Sequence, residues 1–321
     1  MLGIRKRIEG LHLRILLQFP EGLKEKACEI AEKLEAEGNE VFISAAPCFG
    51  ACDIALAEAE ACRADKIIHY GHAEFPLGKK AKIPVEYVEF RSDVDLKPMV
   101  LKALEDPEFR KCAKVGLITT VQHVGKLREV KALLEENGKT VLIGKHGPKA
   151  KYDGQVLGCD AAAAVNVDGK VDCILYVGGG LFHPIGAALA CTKKVLSADP
   201  FLGKIMWLDE EKRRYEKRRR GALAAAVSAQ RFGIIVSVKP GQENLRAAVG
   251  LKKAFERIGR KAEILLTDII NPESLANFRC FDAYVNTACP RIVIDDYMRF
   301  EKPILNFDDA LELVEELKKS R

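Results

Sequence analysis

Short apolar, β-branched runs alternate along this chain with longer segments whose apolar residues recur at helical spacing. The first run is Arg14-Ile15-Leu16-Leu17-Gln18-Phe19; the turn Pro20-Glu21-Gly22 then leads into a helical pattern that ends near Glu37-Gly38. Further strands are expected at Glu40 to Ser44, Lys66 to Tyr70 and Val85 to Phe90, with a short helix after Cys52. The order repeats. A second copy opens at Lys114 to Thr120, its helix runs from Lys126 to Glu136 and stops at Asn137-Gly138, and strands follow at Thr140 to Ile143, Cys173 to Val177 and Lys194 to Ser197. A third copy opens at Arg231 to Ser237, has a helix running to Ile258-Gly259, and continues with strands at Ala262 to Leu266, Ala283 to Thr287 and Pro303 to Asn306.

Continuous apolar strands alternating with amphipathic helices imply βα units and parallel sheets. The expected fold is therefore α/β: three similar domains in a pseudo-threefold arrangement, each with a mainly parallel four-stranded sheet. The expected boundaries are 1–108, 109–210 and 211–321, with a connecting helix across Asp209 to Gln230. Right-handed crossovers place all strand C-terminal ends on one side, the side where open α/β sheets bind ligands.

Length and composition agree with this picture. A chain of 321 residues exceeds one ordinary core, and 48% hydrophobic with 30% charged residues suits a packed globular protein. No apolar stretch is long enough to span a membrane. The charged start, Met1 to Arg7, has no signal-peptide apolar region, so the chain is read as cytoplasmic. A net charge of +5 does not by itself call for nucleic acid, and no direct nucleic-acid contact is expected. The basic run Lys212 to Arg220 reads either as a solvated helix face or as a docking surface for an acidic or RNA-bound partner.

Ten cysteines are many for a reducing compartment, and no Cys-x-x-Cys pair suggests a zinc ribbon. Cys28, Cys62, Cys112, Cys173 and Cys280 fit ordinary thiols in helical or strand-edge contexts. Three others stand apart. Cys52 and Cys159 follow the second strand of their copies, and Cys289 follows the third strand of its copy. All three are placed on the ligand-binding edge. Three thiolates from three segments are what an iron–sulfur cluster with one open iron needs; isolated thiols are the alternative.

The tracts around them narrow the choice. Cys48-Phe49-Gly50-Ala51-Cys52-Asp53, His69-Tyr70-Gly71-His72, Thr120-Val121-Gln122-His123, Gly154 to Cys159, Gly178 to Pro184 and Ala288-Cys289-Pro290-Arg291 through Tyr297 occur in this order. Together they resemble the archaeal diphthamide synthase family, the 2-(3-amino-3-carboxypropyl)histidine synthases, over nearly the whole chain. The resemblance implies a noncanonical radical enzyme, with Cys52, Cys159 and Cys289 holding a 4Fe-4S cluster whose open iron faces S-adenosylmethionine. It further implies cleavage of the bond from sulfur to the methionine γ-carbon, leaving methylthioadenosine. The freed 3-amino-3-carboxypropyl group goes to a histidine ring carbon of translation elongation factor two, the first step of diphthamide formation. A homodimer and an electron donor are implied with it, and no catalytic residue is expected beyond the cluster. Cys48 is not expected in the cluster, because a fourth protein thiolate would close the open iron; it reads as a spare thiol, although a cluster shifted onto it remains an alternative.

Several residues are candidates for holding the cosubstrate. Arg291 can grip a carboxylate with its fork, the alternative being an ion pair with Asp295 or Asp296. Gln122 and His123 follow a strand and can contact the cosubstrate or the substrate histidine; helix capping or a core role is the alternative. Gly178, Gly179 and Gly180 allow close approach by a ligand or another backbone, without the spacing of a dinucleotide fingerprint. His183 follows them, as site contact or simple turn. The stretch with Ser237, Lys239 and Gln242 is expected to open the first helix of the third domain and to offer backbone N–H groups to the ligand. His69 and His72 are read as structural. Two alternatives to the whole reading are another three-cysteine 4Fe-4S enzyme of quinolinate-synthase-like architecture and a non-enzymatic α/β binding protein.

Overall fold

The structure, a computed structural model, describes residues 12–77 and 81–319. The charged start Met1 to Arg7 lies outside the described residues.

The first sheet contains β1 (Arg14–Gln18), β2 (Glu40–Ile43), β3 (Lys66–Tyr70) and β4 (Val85–Val88), all parallel, in the order β2-β1-β3-β4. Helices α1 (Ala27–Ala36) and α2 (Leu56–Ala61) make its crossovers. The second sheet contains β5 (Lys114–Thr119), β6 (Thr140–Ile143), β7 (Cys173–Val177), β8 (Val195–Asp199) and β9 (Lys204–Trp207), in the order β6-β5-β7-β8-β9. With it go α3 (Lys97–Glu105), α4 (Pro107–Arg110), α5 (Leu127–Glu136), α6 (Ala162–Asp168) and α7 (Phe182–Ala190). The long α8 (Asp209–Ala226) leads to the third sheet: β10 (Arg231–Ser237), β11 (Lys261–Thr267), β12 (Ala283–Asn286) and β13 (Ile304–Asn306), parallel in the order β11-β10-β12-β13. Its helices are α9 (Leu245–Arg257), α10 (Pro272–Ala276), α11 (Arg291–Asp295) and α12 (Phe307–Lys319).

The three parallel cores share one strand order, in which the chain leaves its first strand toward one side and returns to the other. The crevice at the C-terminal ends of the first and third strands is thus a topological switch point in each copy. The opposite edge is fastened in the same way three times. An aspartate just before the third strand accepts backbone N–H groups at the start of the first. Asp65 takes the N–H of Arg14 at 2.9 Å, Asp172 those of Ala113 and Lys114 at 2.8 Å, and Asp282 those of Gln230 at 2.9 Å and Arg231 at 2.8 Å.

The middle sheet departs from the expected four strands. Asp199 accepts the N–H groups of Phe201 at 2.8 Å and Leu202 at 3.1 Å, and Gly203 takes a positive φ of 62°. This tight reversal sends β9 back antiparallel beside β8. It also caps the sheet edge with a short strand.

The chain divides into two compact units, 1–91 and 92–321. Leu96, Met99, Val100, Ala103 and Phe109, on or beside α3 and α4, pack with Val115 and Leu117 of the second sheet. In the third core the rings of Phe232 and Phe255 stack at 4.1 Å, both fully buried. Such burial is worth about 1.5–3 kcal/mol per side chain. Helix α8 begins with Asp209, Glu210 and Glu211, which suit a helix N-terminus. Within its basic run, Arg214 pairs with Glu210, Lys212 donates to the Cys191 carbonyl, and Arg219 binds Asp309 and Glu312 of α12. Part of that run is therefore internal stapling. No helix among the described residues is long and apolar enough to cross a membrane.

Candidate functional site

In the first unit, β1 ends on a polar residue, Gln18, which is buried. Its amide nitrogen donates to the Asp53 carbonyl at 2.8 Å, and its oxygen accepts the Ala55 N–H at 3.2 Å. These two bonds fix which end of the amide points where. The same oxygen lies 2.9 Å from Nδ1 of His69, at the end of β3, and Nε2 of His69 lies 2.9 Å from Nδ1 of His72. Burial pushes the His69 pKa down to about 3, with neighbouring His72 adding to it; burial pushes His72 down to about 4, against a hydrogen bond with the Tyr70 backbone. Both rings are neutral. Cys48 is buried beside them, its sulfur within 4.8 Å of both ring nitrogens. Four residues on, Cys52 is half-buried in a loop held by Asp53, whose carboxylate accepts the Phe49 N–H at 3.1 Å, and by Tyr87, whose hydroxyl donates to the Ala51 carbonyl at 3.2 Å.

In the second unit, β5 and β7 deliver their C-terminal ends to the switch point of the middle sheet. Thr119 donates its hydroxyl to the Val177 carbonyl at 2.5 Å, tying the two strand ends. His123 is completely buried, 6.0 Å from the Phe201 ring, and neither of its ring nitrogens has a hydrogen-bond partner among the described residues. Burial lowers its pKa, Lys126 lowers it further, and Asp199 opposes this. His123 makes no capping bond, which removes that alternative. The backbone carbonyl of the adjacent Gln122 accepts the Ser92 N–H at 3.0 Å. Gly178, Gly179 and Gly180 follow β7. A Cβ at Gly178 would lie 2.7 Å from the Tyr176 hydroxyl, and one at Gly179 would lie 2.7 Å from the Phe201 ring. Gly180 has φ +70° and donates its N–H to Asp199 at 2.8 Å. The run is thus accounted for by packing of this chain's own rings and a left-handed turn. His183 sits in the first turn of α7, edge-on to Phe182 at 4.7 Å.

The Cys159 and Cys289 segments meet in this unit. Arg291, the first residue of α11, lays its guanidinium 3.6 Å from the Phe182 ring centroid and donates to the Phe182 carbonyl at 2.5 Å. It also donates to Asp295 at 2.6 Å, which realises the ion pair held open above. Its Nε has no partner among the described residues. A Cβ on Gly158 would come within 2.6 Å of Phe182 and 3.0 Å of Arg291, so the peptide preceding Cys159 is clasped between α7 and α11. The Cys159 thiol is half-buried, and burial raises its pKa. Cys289 is also half-buried; its carbonyl accepts from the buried Asn286 amide at 2.9 Å.

One expectation is corrected. Ser237 ends β10, and α9 starts only at Leu245, so Lys239 and Gln242 lie in a loop and the stretch does not open a helix. Pro240-Gly241 makes a turn there, with the Gln242 N–H on the Lys239 carbonyl at 3.0 Å. Lys239 is buried and 3.4 Å from Asp268. The loop still belongs to the thiol edge, because Asn244 donates to the Thr287 carbonyl at 2.6 Å, two residues before Cys289. Sequence reasoning missed Gln18 and Phe182. A polar residue closing an apolar strand was a visible signal for the first; nothing in the sequence singled out the second.

Three mainly parallel sheets, with half-buried thiols on loops beyond their strand ends, define an α/β protein. A profile of the family described as "Putative diphthamide synthesis protein" matches residues 19–320. The chain is 38% identical over 296 residues to 2-(3-amino-3-carboxypropyl)histidine synthase of Pyrococcus horikoshii, covering 91% of this chain and 83% of that protein. It is 30% identical to subunit 1 of the synthase of the same name from Caenorhabditis elegans, covering 91% of this chain and 73% of that one. The crystal structure of Dph2 from Pyrococcus horikoshii with a 4Fe-4S cluster superposes with a TM-score of 0.86 at 35% identity, covering 95% of this chain and 86% of that chain. This chain belongs to the diphthamide synthesis family.

Proposed function

We propose that this chain transfers the 3-amino-3-carboxypropyl group of S-adenosylmethionine to a histidine ring carbon of elongation factor two, using a 4Fe-4S cluster held by Cys52, Cys159 and Cys289. The observation that carries the reading is the clasp of Phe182 and Arg291, which ties the Cys159 and Cys289 segments together in one unit. The donor set fits the group: three half-buried thiols, each on a loop beyond a parallel strand. When bound and reduced, such a cluster supplies the electron that opens the sulfur–γ-carbon bond. The chain's own residues hold and orient. His123 offers a buried imidazole whose ring nitrogens have no partner among the described residues, suited to a polar group of the cosubstrate or to the substrate histidine. Arg291 is the candidate grip for the methionine carboxylate, which would displace Asp295 from the guanidinium fork. Gln122 and His183 follow strands of the second sheet, and Ser237, Lys239 and Gln242 lie at or after the end of β10 in the third. The active form is a homodimer fed by an external electron donor.

Anaerobically reconstituted protein should carry about four irons per chain, and the reduced enzyme should convert S-adenosylmethionine to methylthioadenosine. Deoxyadenosine as the main product would overturn the proposed bond cleavage. Replacing Cys52, Cys159 or Cys289 singly with Ala should each abolish the cluster; full iron content in two of the three would overturn the ligand set.

A further inference from the structure

We propose that Cys48, His69 and His72 form a second metal site, for a single zinc-class divalent ion, separate from the three cluster cysteines. The donor atoms, one thiol sulfur and two imidazole nitrogens, lie within 4.8 Å of one another. Tetrahedral zinc, with bonds of about 2.0–2.3 Å, holds such donors roughly 3.3–3.6 Å apart. The two ring nitrogens stand 2.9 Å apart and the sulfur lies within 4.8 Å of them, so loading requires the nitrogens to part by roughly a few tenths of an ångström and the sulfur to settle at the zinc–sulfur distance.

The tautomer logic points the same way. The Gln18 nitrogen is committed to the Asp53 carbonyl and its oxygen to the Ala55 N–H. His69 therefore faces an acceptor and must carry its proton on Nδ1. Its Nε2 lone pair is left aimed at His72. A ligating histidine whose other nitrogen donates to a fixed oxygen is the usual outer-shell arrangement around a protein-bound metal. Without metal, His72 supplies the proton between the rings from Nδ1. With metal, His72 coordinates through Nδ1 and carries its proton on Nε2, while Cys48 gives its proton to solvent. One proton leaves per ion bound. One sulfur and two nitrogens suit zinc or cobalt better than calcium or magnesium. Three protein ligands leave a fourth position for water.

The site would anchor the loop that also carries Cys52. It would engage Cys48 outside the cluster, which removes the ambiguity between two thiols four residues apart. That consequence rests on the proposed cluster; the metal site itself does not.

The test uses the full chain with Cys52, Cys159 and Cys289 all replaced by Ser, titrated with cobalt(II). One equivalent should bind, with the visible bands of tetrahedral cobalt and a sulfur-to-cobalt charge-transfer band. Adding Cys48→Ser should remove the charge-transfer band. Gln18→Leu should weaken binding about 10–100-fold through loss of the outer-shell bond. No cobalt bands in the triple variant, or bands unchanged by Cys48→Ser, would overturn the site. Should the Cys48→Ser protein not fold, the triple variant alone decides the question: zinc should protect Cys48 from alkylation by iodoacetamide, read by peptide mass spectrometry. Equal alkylation with and without zinc would overturn the proposal. Loss of transferase activity plays no part in either arm, so failure here is distinct from failure of the proposed function.

Discussion

Arg291 stacks on Phe182, 3.6 Å from the ring centroid, and binds the carbonyl of the same residue, although 109 positions separate them. A planar guanidinium does both at once; an ammonium cannot. Arg291→Lys should therefore lose the stacking and one bond, costing about 2 kcal/mol for a desolvated pair of this kind. Denaturant unfolding of the metal-free protein checks the stability. Iron retention during gel filtration checks the coupling, and unchanged retention would show that the clasp does not support the thiols.

Gly158 tests the same clasp from its other side. A methyl group there would meet the Phe182 ring at 2.6 Å and Arg291 at 3.0 Å. Gly158→Ala should destabilise by about 1–3 kcal/mol, the usual cost of overpacking. It should also lower iron content in reconstituted protein. A thermal melt and an iron assay on one preparation measure both.

His123 has two buried nitrogens without partners among the described residues. Such groups cost about 1–3 kcal/mol while unsatisfied. His123→Phe should raise the melting temperature of the metal-free chain. It should also lower methylthioadenosine formation if the imidazole serves the cosubstrate. A more stable variant with unchanged turnover would assign His123 no part in the reaction.

Asp172 gives a pH dependence of definite sign. The Lys114 N–H is the largest cause holding its carboxyl below the ordinary aspartate value, and Ala113 adds to it. A lowered native pKa contributes stability above the unfolded value, lost as pH falls through the native one. Asp172→Asn should therefore destabilise at neutral pH. The gap to the parent protein should close in acid below the native pKa, as followed by urea unfolding across pH.

The strands were legible wherever β-branched residues ran continuously, as in Arg231 to Ser237, because a strand buried on both faces has one readable composition. The antiparallel β9 was not, since Lys204-Ile205-Met206-Trp207 follows a reversal set by the Asp199 side chain and Gly203. A side-chain bond of that kind has no periodicity. The start of α9 was not legible in the stretch from Ser237 to Gln242, because the turn at Pro240-Gly241 delays the helix until after Asn244. At the site, the three thiol positions could be read from their places after strands. The link from Gln18 through His69 to His72 could not, because it joins β1 to β3 across a parallel crossover, 51 residues apart in sequence for the Gln18–His69 bond.

The aspartates at positions 65, 172 and 282 fasten the sheet edges away from the thiols. In a library of single substitutions, changes there should be recorded as missing protein. Changes at Cys159, His123 or Cys289 should be recorded as protein present in normal amounts but silent. Comparing abundance with activity, position by position, would then trace the direction of each sheet without any coordinates.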